Sequence, residues 1–561
     1  MKLSIKHTFT FFLALLFVVI FPEHEAVYAV KLLDSGDFRY FVSEKESTAE
    51  IVQYTGQSLF VSIPEKIGDY SVVSIGAGAF RKNDSIKEIE IPDTVKKINN
   101  CAFYGCTMLS KVYIPGTVTE IGESAFSGCK KLTDVTIDDG VKTLGRFSFS
   151  ECTSLKQISL PNSVENIGDF SFLNCTLLEN PVIPKNLRYF GGYVLENTKW
   201  ILSQKKEFIT VGDGILIKYT GNADTKSIPN YVKKIGNCAF AGNKNLKKIM
   251  ISDSVTAIGA SAFENCQQLE NIYIPVSVVQ IGERAFYKCT SLKSLDVPNS
   301  ISIVDSYVFA FSGLESFRVP VTVSSINVSA FEGCKQLKEV EFNERLKKIC
   351  SNAFKDCTEL KRVVFPASLN EIEKNAFQGC KKLMRAEFNG DTKLKASAFN
   401  ECPNLNAGVF YKNISKIEDN AFTLAPELVI YSDNNVYLQD YAKRNSKHSE
   451  TIKNLPQFNG NVKLNEDENQ ENSFSGQYVF IVIFLILADI VLVLLTSFYI
   501  LIVDPKQRQR KRRKVAEKAA QNKEKRADGY ERKQQNERSV KSGSSHSRNT
   551  AESRKKPSDK F

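Results

Sequence analysis

The sequence predicts a solenoid: about sixteen coils of 22–23 residues that share a curved parallel β-sheet, followed by one C-terminal transmembrane helix. Two observations carry that reading. The phrase IGESAFSGCKKL, beginning at Ile121, recurs with small changes along most of the 561 residues. Near the end, Tyr478 to Val503 is a run of 26 residues rich in Ile, Leu, Val and Phe, long enough to cross a bilayer.

At the start of the chain, Lys2 and Lys6 precede the apolar run Phe9 to Phe21, and Val27-Tyr28-Ala29 supplies small residues for cleavage. Residues 1–29 therefore read as a signal peptide cut after Ala29, with an apolar run too short to span a membrane.

The phenylalanine of the Ala-Phe step marks the register of the coils. It falls at Phe80, Phe103, Phe126, Phe149, Phe172, Phe240, Phe263, Phe286, Phe309, Phe331, Phe354, Phe377, Phe399 and Phe422. Neighbouring marks are 22 or 23 apart except for the 68-residue jump from Phe172 to Phe240, where Leu195 and Ile217 fall at the missing places. No unit of this size buries its apolar face alone, so neighbours must supply the core. Within a coil, AFYGCTMLSKVYIPGTVTEIG at Ala102 to Gly122 shows the inward-outward-inward triple Val112, Tyr113, Ile114, the period of a strand. One short strand per coil, paired in parallel, makes sixteen coils a curved rod about 75 Å long. Prolines such as Pro92, Pro115, Pro161 and Pro275 stop the pairing because they lack an N–H. The glycine after the isoleucine allows a close or left-handed turn into Ala-Phe. Small Ala beside large Phe lets the rings stack as an internal column. The stretch Tyr189 to Asn222 reads as two atypical coils joined by a polar excursion around Lys199 to Lys206.

Ten of the thirteen cysteines sit three residues after a mark, from Cys106 to Cys402, and Asn83, Asn243 and Ser312 share that slot. Thiols stacked in parallel behave as small buried side chains and are poorly aimed for disulfides. The absence of C-x-x-C pairs excludes a zinc ribbon. All four histidines (His7, His24, His448, His546) lie outside the repeats, so no coil hosts a Ser-His-Asp triad, a Cys-His pair or a histidine-ligated metal. No phosphate-binding glycine loop is present, and no cofactor is expected. A pair of surface acids for glycoside cleavage stays open from sequence alone.

Charge separates the regions. The formal +11 comes from the tail, because Asp504 to Phe561 holds 20 Lys and Arg against 8 Asp and Glu. The chain from Val30 to Gln477 is balanced at 52 against 52, which leaves no electrostatic footprint for nucleic acid. Residues 447–477, with the stretch NEDENQENS, read as a flexible acidic spacer. Residues 478–503 read as a spanning helix with its C-terminal end in the cytoplasm. Asp489 near its middle costs about 2.5 to 3.5 kcal/mol on insertion scales, a cost that helix assembly with a polar partner would relieve. The alternative is a protonated lone acid among apolar neighbours. Residues 504–561 read as a basic disordered tail. Lys506, Arg508, Arg510, Lys511, Arg512, Arg513 and Lys514 stand at anionic headgroups as a stop-transfer cluster.

Over about Lys31 to Ser446 the coil pattern resembles the BspA-like leucine-rich-repeat surface proteins. In that resemblance, GDFRYFV through AEIVQYTG and on to Phe80 is similar to the family's opening cap, so that residues 30–79 hold the cap and first coil. Residues 80–426 are then the leucine-rich-repeat solenoid, irregular over 189–222, and residues 427–446 resemble the closing cap. The resemblance implies an adhesin or recognition module of microbial cell surfaces, and together with the signal segment and the spanning run 478–503 it makes the expected protein a type I, membrane-anchored, non-catalytic binder of an extracellular protein or glycan.

The outward row of the strands is the candidate ligand-binding face: Glu90, Tyr113, Thr136, Ser159, Met250, Tyr273, Asp296, Arg318, Glu341, Val364 and Glu387. A second row includes Lys87, Lys156, Lys247, Lys293, Lys338 and Lys361. Tyr113 and Tyr273 are the aromatic anchors of such a face, and a merely solvated surface is the alternative. At the level of function, an adhesive binding protein competes with a signalling receptor that assembles through Asp489 and the tail. An exported hydrolase is a distant third.

Overall fold

The computed structural model describes residues 32–433 and 435–457, and they form a parallel β-solenoid of about seventeen turns. The signal segment, Asp489 with its apolar run, and the basic cluster 506–514 lie outside the described residues. Among the described residues, no helix is long and apolar enough to cross a membrane.

Each regular coil is set by apolar positions that can only face inward. Phe103, Cys106, Leu109, Val112, Ile114, Val118 and Ile121 of one coil are all buried. The mark phenylalanines stack in near-parallel pairs whose centroids are 4.9 Å apart for Phe80–Phe103 and 5.7 Å for Phe286–Phe309. That separation tracks the spacing of the paired backbones, about 4.8 Å, so the ladder dictates the ring column.

The turn count exceeds the sixteen marks because a tyrosine opens the column. Tyr54 stacks on Phe80 at 5.2 Å, and its N–H donates to the Ala79 carbonyl just as Phe80 donates to Ala102. Its spacing of 26 residues and lack of an Ala-Phe step hid it. Ile217 does not take the place assigned to it either. Tyr219 does, because its N–H reaches the Ala239 carbonyl and its ring lies 5.1 Å from Phe240. Leu195 keeps its assigned place, buried and preceded by Val194, whose carbonyl accepts from Phe172.

Two pairings per coil replace the single expected strand. One joins segments such as Glu88–Glu90, Lys111–Ile114 and Asp134–Ile137. The other joins two-residue segments such as Lys97–Ile98, Glu120–Ile121 and Thr143–Leu144. The second ladder is too short to show a period of two, so only pairing reveals it.

The repeat glycine works by close approach. A Cβ on Gly122 would stand 2.6 Å from the Asn99 carbonyl carbon and 2.7 Å from the Asn100 nitrogen of the preceding coil. The left-handed residue comes two positions later, at Ser124, Cys101 or Cys238, with φ of 55°, 57° and 58°.

The ends are closed differently. Phe38–Ser43 pairs antiparallel with Leu32–Ser35 and with Thr48–Tyr54, which then joins the parallel ladder. At the other end the helix Val436–Arg444, capped by the Asn435 side chain, sets Tyr441 edge-on to Phe422 at 6.4 Å.

Candidate functional site

The longer ladder bares one side of each coil, and its alternation decides what is offered to solvent. Ile89, Val112, Ile249 and Ile272 point into the core, so Glu90, Tyr113, Met250 and Tyr273 between the inward positions point out. Thr136, Ser159, Asp296, Arg318, Glu341 and Val364 are exposed in the same way. Tyr273 is the most open aromatic of the row at 57%.

Glu387 breaks the pattern, for it is only 3% exposed. The segment after the closing helix folds back across the last strands, and the Pro456 carbonyl accepts from Arg385 Nη1 at 3.1 Å. Beneath it Glu387 is paired with Arg362 at 2.6 Å and Arg385 at 3.0 Å and accepts from the Tyr411 hydroxyl. Alternation placed Glu387 outward correctly, but a distant segment covers that side. The exposed face therefore ends near Val364.

Several row residues are tied to the next coil. Tyr113 donates to Asp138, which pushes its hydroxyl above the usual phenol range, and Arg318 meets Glu341 at 2.7 Å. Lys338 bonds Glu315 at 2.8 Å, so part of the lysine row is also neutralised by its neighbours.

Two shallow hollows lie on this face. One of about 440 Å³ is lined by Phe60, Ser62, Glu88, Glu90, Lys111 and Tyr113. The other, of about 530 Å³, is lined among others by Glu341, Phe342, Lys361, Arg362, Val364 and Asn389. Phe60 is the residue that sequence reasoning missed: it is 65% exposed on the strand Phe60–Ser62, which precedes the first Ala-Phe mark. Its signal was an aromatic at an outward position inside the stretch similar to a cap.

The thiol column is chemically quiet. Each Sγ donates to the carbonyl of the mark phenylalanine in the preceding coil, as in Cys106 to Phe80 at 3.0 Å and Cys357 to Phe331 at 3.2 Å. The thirteen cysteines are free, and burial pushes the thiols of Cys106, Cys266 and Cys402 up to about 12. A thiol at that pKa is neither nucleophile nor ligand at neutral pH. Among the described residues, no group of His, Cys, Asp and Glu is placed to hold a metal ion. Asn83, which shares the cysteine slot, holds the turn with its amide, donating to the Gly56 carbonyl and accepting from the N–H groups of Ser85 and Ile86.

A family model described as the BspA type leucine-rich repeat region matches residues 73–201, 216–335 and 302–429. The chain belongs to that family. Its repeat proteins are typically non-catalytic scaffolds for binding other proteins, and are typically found at the cell surface. Among solved structures, this BspA-type chain is similar to a leucine-rich repeat protein from Eubacterium ventriosum, at 26% identity over 65% of this chain and 93% of that one, with a TM-score of 0.37. It is similar at 24% identity to a leucine-rich repeat protein from Bacteroides ovatus, over 75% and 99% of the two chains, with a TM-score of 0.30. A leucine rich cell surface protein from Faecalibacterium prausnitzii is also 24% identical, over 65% and 96%, with a TM-score of 0.29. No curated protein matches the chain.

Proposed function

We propose that this protein is a non-catalytic, membrane-anchored cell-surface binding protein of the adhesin type, which recognises an extracellular protein or glycan through the bare strand face of its solenoid. The observation that carries the reading is that face itself. It is a series of outward positions on successive coils of both stacks, with open apolar groups at Phe60, Tyr113, Met250 and Tyr273 set among charges. Large exposed apolar groups on a rigid scaffold are the usual anchors of recognition, and the polar residues around them supply the rim. The anchoring part of the proposal rests on the apolar run 478–503 and its basic flank.

The test is to display residues 30–457 to arrays of surface proteins and glycans, then to repeat any binding with Tyr113→Ala and Tyr273→Ala. A specific partner whose affinity falls at least about tenfold in one variant supports the face. Binding that survives both substitutions together with Phe60→Ala overturns it.

A further inference from the structure

The irregular stretch between the two regular stacks repeats the beginning of the molecule. The hairpin Phe208–Val211 and Ile215–Tyr219 is antiparallel, as is the hairpin Phe38–Ser43 and Thr48–Tyr54 that opens the first stack. Phe208 pairs with Tyr219 as Phe38 pairs with Tyr54, with ring centroids 5.0 and 5.2 Å apart and tilts of 40° and 47°. The register slips one residue after the phenylalanine in both, between Ile209 and Thr210 and between Arg39 and Tyr40. Thr220 N–H donates to the Glu207 carbonyl at 2.9 Å, and Thr55 N–H to the Asp37 carbonyl at 2.8 Å. Gly236 N–H meets the Leu216 carbonyl at 2.7 Å where Gly76 meets Ile51 at 2.7 Å. Even the constraint on the glycine recurs, since a Cβ on Gly221 or Gly56 would stand 2.4 Å from the neighbouring tyrosine hydroxyl. The shared sequence is Phe, then an apolar strand ending Tyr-Thr-Gly, at 54–56 and 219–221.

On the other side of the seam, the first stack ends as an edge. In a regular coil the residues two before, at and two after the mark donate to the next coil, as Cys101, Phe103 and Gly105 do to Glu123, Ala125 and Ser127. Among the described residues, Tyr193, Leu195 and Asn197 make no such bonds to the coil of Tyr219. The two-residue ladder also stops, at Tyr189–Phe190. The short helix Lys199–Ser203 comes next, with Trp200 packed on the first core. The buried residues fall into two large clusters whose boundary runs through this hairpin, with Phe208, Leu216 and Tyr219 in the second core and Val211 and Ile215 packed on the first, and a cavity of about 440 Å³ opens between Leu195, Glu196, Lys218 and Phe240.

We propose that residues 207–221 are a second opening cap, so that the chain carries two solenoid modules in tandem, about 32–204 and 205–457, in place of one continuous stack. Each module holds one of the two strand-face hollows, so if binding runs through that face, as the proposed function has it, the protein is bivalent. An opening cap covers the edge of the coils C-terminal to it, and although Val211 and Ile215 rest on the first core, the Tyr219 ring belongs to the second, between Phe208 and Phe240. That asymmetry gives the test.

Hydrogen exchange on the full chain would be compared between wild type and Tyr219→Ala, with Phe126→Ala as the mid-stack control. Phe126→Ala should speed exchange in the coils of both Phe103 and Phe149. Tyr219→Ala should speed it roughly tenfold in the coils of Phe240 and Phe263 and leave those of Phe149 and Phe172 unchanged. Equal acceleration on both sides of the seam overturns the proposal. Should the variant fail to fold, wild-type full chain nicked by trypsin at Lys205-Lys206 serves instead. Two halves that each stay protease-resistant and melt separately support the proposal, and a single shared transition overturns it. Neither readout involves a ligand, so its outcome is separable from the binding reading.

Discussion

The regular coils and the stretch 189–222 solve the same problem in opposite ways. A regular coil such as that of Phe126 is sandwiched, with rings at 5.0 and 5.1 Å on its two sides and backbone bonds to both neighbours. At the seam, the coil of Leu195 has backbone bonds to the coil before it, through the Gly192, Val194 and Glu196 carbonyls, and Tyr219 is covered by its own hairpin. The contrast shows that a solenoid tolerates an interruption when both new edges are closed, one by a short helix and one by a hairpin.

The largest expected effect tests the sandwich directly. Phe126→Ala should cost about 4 kcal/mol of unfolding free energy, while Leu195→Ala, beside a cavity, should cost about 2 kcal/mol. Urea unfolding monitored in each stack checks the ranking, and equal losses would erase the distinction between stack and seam. Next comes close packing between coils. Gly122→Ala places a Cβ against the preceding backbone and should cost about 3 kcal/mol. Gly242→Ala meets nothing within 4 Å but sits at φ 71°, so its cost should be about 1 kcal/mol.

The thiol columns give a pH signature common to both stacks. Burial raises their thiols to about 12 at Cys106, Cys266 and Cys402, and to about 11 at Cys334, from an ordinary value of 9.0. The folded state holds these protons while the unfolded chain releases them above pH 9, so the stabilisation is complete below that pH and is lost as pH rises from 9 through 12. Urea midpoints measured at about pH 8, 9.5 and 11 should fall in that order. The same thiols should resist alkylation at about pH 8 until the protein unfolds.

The smallest effects concern ion pairs. Lys97–Glu120, between regular coils, is open to solvent on both side chains, and Glu120→Gln should cost less than about 0.5 kcal/mol. Lys218–Glu196 joins coils across the seam at 2.7 Å and is less exposed, so Glu196→Gln should cost about 1 kcal/mol. A double-mutant cycle at each pair separates the two.

Much of the fold was legible because the repeat is strict. The Ala-Phe mark and the cysteine slot gave coil length, ring column and inward face, since Phe126 and Cys129 have no other way to be buried in a 23-residue unit. Tyr54 and Tyr219 escaped because they occupy the column without its motif. The second ladder escaped because two residues cannot display a period. On the face, alternation oriented the row residues from Glu90 to Val364 as they stand, open to solvent. It could not anticipate the cover over Glu387, which comes from Pro456 in a coil-less segment 69 positions away by number.

By itself the sequence determined the repeat, its period, the residues of the interior and the side of each strand that faces outward, because these depend on local spacing and the cost of exposing apolar groups. Only the tertiary structure decided where the column begins, which tyrosine fills the gap at the seam, why the glycine is needed and where the open face stops. Each of those depends on contact between segments distant in sequence, and a spacing rule within one coil carries no information about what another segment lays across it.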